Sequence, residues 1–196
     1  MKKNFAGILV SLACVSGWAT PIAYNGHYYD FISAPNITWD DARAAALAAS
    51  YLGLEGHLVT ITSDGEDAFV GTIIFGGEAW AGGFQNPITE TDPQAGWTWV
   101  NGEGSFPGVS SASPYANWNS GEPNDFYGNN PLEQYLGLNL GNPGGFNDEG
   151  NLSLIGGYVI EYDPTTIRDI PDAGSTAAML SGALVLLGTV TRRIRK

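Results

Sequence analysis

Apolar and polar positions change their rhythm along this 196-residue chain, and each change marks an element. The first helical signal is T-W-D-D-A-R, where Thr38 stands as an N-cap and Asp41, at the third helical position, reaches back to it. An alanine-rich run carries the helix to about Tyr51, and Gly53 and Gly56 end it. Residues 57–62, H-L-V-T-I-T, are rich in β-branched side chains and read as a strand. Ser63-Asp64-Gly65-Glu66 is a second capping box, opening a helix from about Asp64 to Phe75. After Gly76-Gly77 the pattern shortens. Apolar stretches at 79–83, 97–100, 134–138 and 157–162 alternate with long loops rich in Gly, Asn and Pro, as short strands do. Two helices followed by a strand- and loop-rich half predict an α+β fold, without internal repeats.

Composition agrees with one domain that has a substantial core. Hydrophobic residues make up 43% of the chain, with six Trp, nine Tyr and eight Phe, while charged residues reach only 14%. The formal charge is −12, and its distribution matters more than its size. Between Tyr24 and Asp163 there are 18 Asp or Glu against one basic residue, Arg43, or about −17 in all. Nucleic acid and anionic membrane surfaces are poor partners for such a surface, and cations are natural ones. Cys14 is the sole cysteine. Disulfides within the domain, Cys/His zinc sites and cysteine catalysis are therefore excluded.

The two ends carry different signals. Residues 1–19 have a basic start, an apolar run from Phe5 to Val15, and small residues at Gly17 and Ala19: a secretory signal peptide with cleavage expected after Ala19. A lipoprotein signal through Cys14 is disfavoured by Ser11, where Leu is wanted. At the other end, residues 173–191 contain no charge, and R-R-I-R-K follows. At helical rise those residues span about 28 Å, enough for a transmembrane helix with its basic tail in the cytoplasm. The preceding Ile170-Pro171-Asp172-Ala173-Gly174-Ser175-Thr176, together with that helix and tail, resembles the PEP-CTERM type of surface-sorting signal in its Val-Pro-Asp-Ser-Gly variant. The resemblance implies an exosortase-like sorting enzyme as partner and a destination in the cell envelope. Residues 164–169 form a linker.

The order of motifs between residues 24 and 163 resembles the C-type lectin-like domain. Y-Y-D-F and T-W-D-D-A-R match its first strand and helix, and H-L-V-T-I-T-S-D-G-E-D-A-F-V its second pair. Ala79-Trp80-Ala81-Gly82-Gly83, Trp97-Thr98-Trp99-Val100-Asn101-Gly102, Asn117-Trp118, Glu122-Pro123-Asn124, Phe146-Asn147-Asp148 and Gly157-Tyr158-Val159-Ile160-Glu161 follow in the family's order. The resemblance implies a calcium site built from Glu122, Asn124, Glu133, Asn147 and Asp148, with a cis bond before Pro123. All five offer side-chain oxygens, the ligands Ca²⁺ takes. An Asn whose carbonyl faces the ion keeps two amide donors, and a Glu keeps an acceptor, so sugar hydroxyls can complete the site. Glu-Pro-Asn resembles members preferring mannose, glucose or N-acetylglucosamine. Trp118, Phe126 and Tyr127 are candidates to stack on the sugar, with Trp118 better explained as core. Asp125 and Glu90 are weaker candidates for an auxiliary site. The family's two disulfides are missing: Ala46 and Ile160 stand at one pair of positions, and Tyr135 at half of the other.

These readings make the chain an exported, surface-anchored glycan-binding protein and no enzyme. His27 and His57 sit at ordinary strand positions, Ser63 is explained as a cap, and no phosphate loop occurs. The rival is a surface-interaction or envelope domain of the same fold without sugar binding, with ice binding a more distant third.

Overall fold

The computed structural model describes residues 20–126 and 133–164. The segments expected to be signal peptide, most of the linker, sorting motif and membrane helix lie outside these residues, as does Tyr127. Among the described residues no helix is long and apolar enough to cross a membrane.

The sheet begins at β1 (Ile22–Tyr24), slightly before the family-like segment, and turns directly into β2 (His27–Ser33). Helix α1 spans Trp39–Ala48, with the Thr38 hydroxyl accepting from the Asp41 amide. It ends three residues short of the expected Tyr51. Ser50–Tyr51 forms β3, which pairs with β4 (Leu54–Leu58) across a turn holding Leu52 and Gly53 at positive φ. Helix α2 spans Asp64–Ile73 and Ser63 caps it. Glu66 reaches one residue further back than a capping box does, accepting from the Thr62 amide at 2.8 Å.

The strands β5 (Glu78–Gln85), β6 (Trp97–Trp99), β7 (Ser111–Ala112), β8 (Tyr115–Ala116), β9 (Tyr135–Leu138), β10 (Phe146–Glu149) and β11 (Ile155–Tyr162) complete the fold. The main sheet runs β1-β2-β11-β5-β9-β10, with β4 also on β11 and β6 on β5; β7 and β8 form a separate ribbon. Side chains alternate across a strand, so β2 and β11 feed two cores. Tyr29, Phe31 and Val159 face Val70 and Ile73 of α2, whereas Tyr28, Ile32, Tyr158 and Ile160 face Trp39, Ala42 and Ala46 of α1. The sheet is thus packed by one helix on each face.

Apolar contacts hold the positions where the resemblance implies disulfides, the Ala46/Ile160 pair and Tyr135. Ala46 and Ile160 are both fully buried, and a Cβ added to Gly56 would meet Ala46 O at 2.7 Å and Ile160 Cγ2 at 2.8 Å. Tyr135 stacks on Trp39, with ring centroids 4.5 Å apart, and so joins β9 to α1. Neither contact constrains the unfolded chain as a covalent bridge does; both act through burial and packing.

Candidate functional site

The long loop from β8 to β9 is held by a core of aromatic rings. Trp118 is buried, donates its indole N–H to Pro107 O at 2.8 Å, and meets Trp97 and Phe146 at centroid distances of 4.9 and 5.7 Å. It is a core residue, and its ring is not available to a sugar. The backbone on either side is tied to β10: Phe146 N donates to Asn117 O, and Asn119 N donates to Phe146 O. Glu122 N then donates to Asn119 O, which closes the turn before Pro123. The Glu122–Pro123 bond is cis.

This arrangement brings the sequence-predicted residues together. Glu122, Asn124, Glu133 and Asn147 line one cavity of about 220 Å³, with the 75%-exposed Phe126 at its side. Asp148 lies behind the loop instead of in the cavity wall. Its carboxylate accepts from Asn124 N at 2.9 and 3.0 Å and from Asp125 N at 2.7 Å. Glu133 accepts from Phe126 N. Two of the five residues thus fix the backbone that carries Glu122 and Asn124. Asp125 has φ +46° and is not in the cavity lining, and Glu90 turns its carboxylate onto the amides of Thr91 and Asp92.

Two further carboxylates belong to the cluster. Glu149 lines the cavity, and Glu78 stands beside it. The Asn147 amide donates to Glu78 Oε2 and Glu149 Oε2, both at 3.3 Å, which turns its carbonyl oxygen away from them. Gly137 makes the room: a Cβ there would lie 2.7 Å from Glu78 Oε2. Sequence reasoning missed both residues. Glu149 continues the Asn147-Asp148 run, a readable signal, but Glu78 reaches the site only through the pairing of β5 with β9.

The electrostatics are those of crowded acids without a counter-charge. Burial, then the charge on Asp148, pushes Glu122 up to about 7. Burial likewise pushes Glu133 to about 7 and, with the charge of Glu149, Glu78 to about 8. Asp148 and Glu149 are raised as well, chiefly by burial. Buried oxygens of Glu122, Glu78 and Asp125 have no hydrogen-bond partner. Arg43, the lone Arg or Lys from residue 20 to 164, lies over the Trp39 ring instead. A hard divalent cation is what this donor set fits: side-chain oxygens only, several anionic, some unpartnered.

Elsewhere, His27 Nδ1 lies 3.0 Å from Glu161 Oε1.

No protein-family model matches the chain. Halomucin from Haloquadratum walsbyi is 33% identical over 88% of this chain, which spans about 2% of halomucin's own length. Among solved structures, the cow C-type carbohydrate-recognition domain of CD23, determined with an oligosaccharide, superposes with a TM-score of 0.55 at 25% identity. That match covers 78% of this chain and 99% of the CD23 chain. The snaclec rhodocetin subunit gamma of Calloselasma rhodostoma is 30% identical over 56% of this chain and 72% of the snaclec. The chain belongs to the C-type lectin-like family. Within that fold, herring type II antifreeze protein aligns with a TM-score of 0.53 at 18% identity, over 78% of this chain and all of that one. C-type lectin-like structures therefore include both sugar-complexed and antifreeze proteins, and the choice between them rests on this chain's own residues.

Proposed function

We propose that this protein binds carbohydrate of the mannose or glucose type through a calcium ion held by Glu122, Asn124, Glu133, Asn147 and Asp148. The observation that carries the reading is the uncompensated acidity of the cavity. Glu122, Glu133 and Glu149 converge there, a buried Glu122 oxygen has no partner, and no Lys or Arg among the described residues lines the cavity. Ca²⁺, when bound, neutralises these carboxylates and offers open coordination positions to a pair of sugar hydroxyls. The chain's own groups do the rest. Asp148 clamps the loop amides, Glu78 and Glu149 orient the Asn147 amide, and the amide of Asn124 supplies donors to a hydroxyl. Phe126 offers an exposed ring beside the cavity for the apolar face of a sugar.

We extend the proposal to the whole chain. Residues 1–19 act as a signal peptide, 24–163 as the binding domain, 164–169 as a linker, and 170–196 as an exosortase-type sorting signal with a membrane helix. The protein is then displayed at the cell envelope and performs no catalysis.

Retention on mannose-agarose tests the function. The wild type is expected to bind in millimolar Ca²⁺ and elute with chelator, and the Glu122→Gln, Asn124→Asp pair to lose mannose or exchange it for galactose. Retention that ignores both chelator and substitution removes the calcium-dependent reading. A second reading follows from the antifreeze neighbour: an ice-binding surface, which would appear as thermal hysteresis unaffected by sugar.

A further inference from the structure

A second cavity lies away from the Glu122 site. It measures about 540 Å³ and lies between α1, the start of β1 and the end of β11. Its walls are mostly apolar: Pro21, Ala45, Ala48 and Ala49, with the rings of Tyr51 and Tyr162. The alanines of α1 create the space, because no side chain there reaches far from the helix. Tyr51 is braced from both sides, 5.1 Å from Tyr28 and 5.9 Å from Tyr162 by ring centroids.

One wall residue is out of keeping. Asp30 lies at a position of β2 where alternation with Tyr28 and Ile32 calls for an apolar side chain facing α1. It is 6% exposed, and no hydrogen bond or opposite charge among the described residues offsets its burial. Its carboxyl is raised to about 6, with burial as the cause. A carboxylate left unpaired in an apolar wall destabilises a fold, so its retention calls for a cation that the domain does not itself provide. A charged head on Asp30, tyrosine rings beside it and an aliphatic lining define the ligand. Ammonium groups sit favourably against aromatic faces, and the volume is within the range of small-molecule sites.

We propose that this cavity is a second ligand site, taking a small primary alkylammonium whose head pairs with Asp30 and whose stem lies between Tyr51, Tyr162 and the alanines of α1. The site uses β2, β11 and α1, and shares no residue with the calcium-site proposal, so either can fail alone.

The test is titration of the purified full chain with n-pentylammonium chloride, followed by calorimetry and saturation-transfer NMR, with n-pentanol and n-pentanoate as uncharged and anionic controls. Saturable binding of the ammonium, at least tenfold tighter than the alcohol, is expected. Asp30→Asn should weaken it at least tenfold while leaving the melting temperature equal or higher, since an unpaired charge is removed. Ala45→Leu, which fills the space and keeps Asp30, should also abolish it. Equal affinity for ammonium and alcohol overturns the proposal, as does binding that survives Asp30→Asn. Pro21 borders the cavity, so the amino group freed by cleavage after Ala19 would emerge beside it. If a chain beginning at Thr20 binds pentylammonium only after N-terminal acetylation, Asp30 serves the chain's own terminus and the proposal falls.

Discussion

Replacing Glu133 with Gln should change the protein's stability in opposite directions with and without calcium. Glu133 is 5% exposed, accepts from Phe126 N, and is raised from 4.5 to about 7 in the folded chain. The sign follows from the direction of that shift. Below pH 4.5 the group is protonated in both folded and unfolded chains. As pH rises toward 7 the unfolded chain ionises first, and the folded state loses stability; above 7 the loss is complete. The shift corresponds to about 3 kcal/mol as an upper bound. Gln keeps the acceptor for Phe126 N and cannot ionise, so in chelator at pH 8 the variant should melt up to about 6–12 °C above the wild type. At pH 4 the two should coincide. In calcium at a thousandfold excess over its dissociation constant the order reverses, because the ion then stabilises the wild type by about 4.1 kcal/mol, more than Gln gains in chelator. Losing one anionic oxygen forfeits much of that. Differential scanning calorimetry at pH 4 and 8, in chelator and in calcium, gives the four numbers. The same sign in both media at pH 8 would refute the reasoning and leave Glu133 a structural residue.

Further predictions concern the frame and the sugar. Tyr135→Ala removes the ring stacked on Trp39 where a disulfide is missing, and should cost about 3 kcal/mol in urea unfolding. Gly71→Ala, which in an isolated helix would stabilise, should cost about 1–3 kcal/mol, because the new Cβ meets the backbone of Gly144 at 2.6 Å. Phe126→Ala should leave the calcium-induced rise in melting temperature intact and weaken mannose binding several-fold in a glycan titration, since its ring is exposed beside the cavity.

Much of the fold was legible because its signals are local. Both helix starts are set by hydroxyl caps, and the strands near 79–83, 134–138 and 157–162 lie in apolar runs with turn formers between them. The end of α1 was not legible. The alanine run has no breaker before Gly53, and the helix stops where Ser50 and Tyr51 find partners in Leu54 and Glu55. The strand expected at 57–62 is displaced toward Leu54 for the same reason. Phe146–Glu149 reads as polar loop, yet all four residues are buried, because β9 covers their backbone while their side chains bond to one another and to the loop. The five predicted ligands were found through motif order, which carries no information about depth. It could not show that Asp148 braces the loop from behind, or that Glu78 joins from another strand. Asp30 was hidden for a simpler reason: in Y-Y-D-F an acidic residue reads as the outward side of a strand, and only α1 packed over it makes it buried.

The central claim is that these carboxylates and amides surround one calcium ion. A crystal structure of the protein grown in calcium, with anomalous data, tests it most directly. A peak among Glu122, Asn124, Glu133, Asn147 and Asp148 is expected, with oxygens at the 2.3–2.6 Å typical of calcium. No peak there, or a peak only elsewhere, would contradict it.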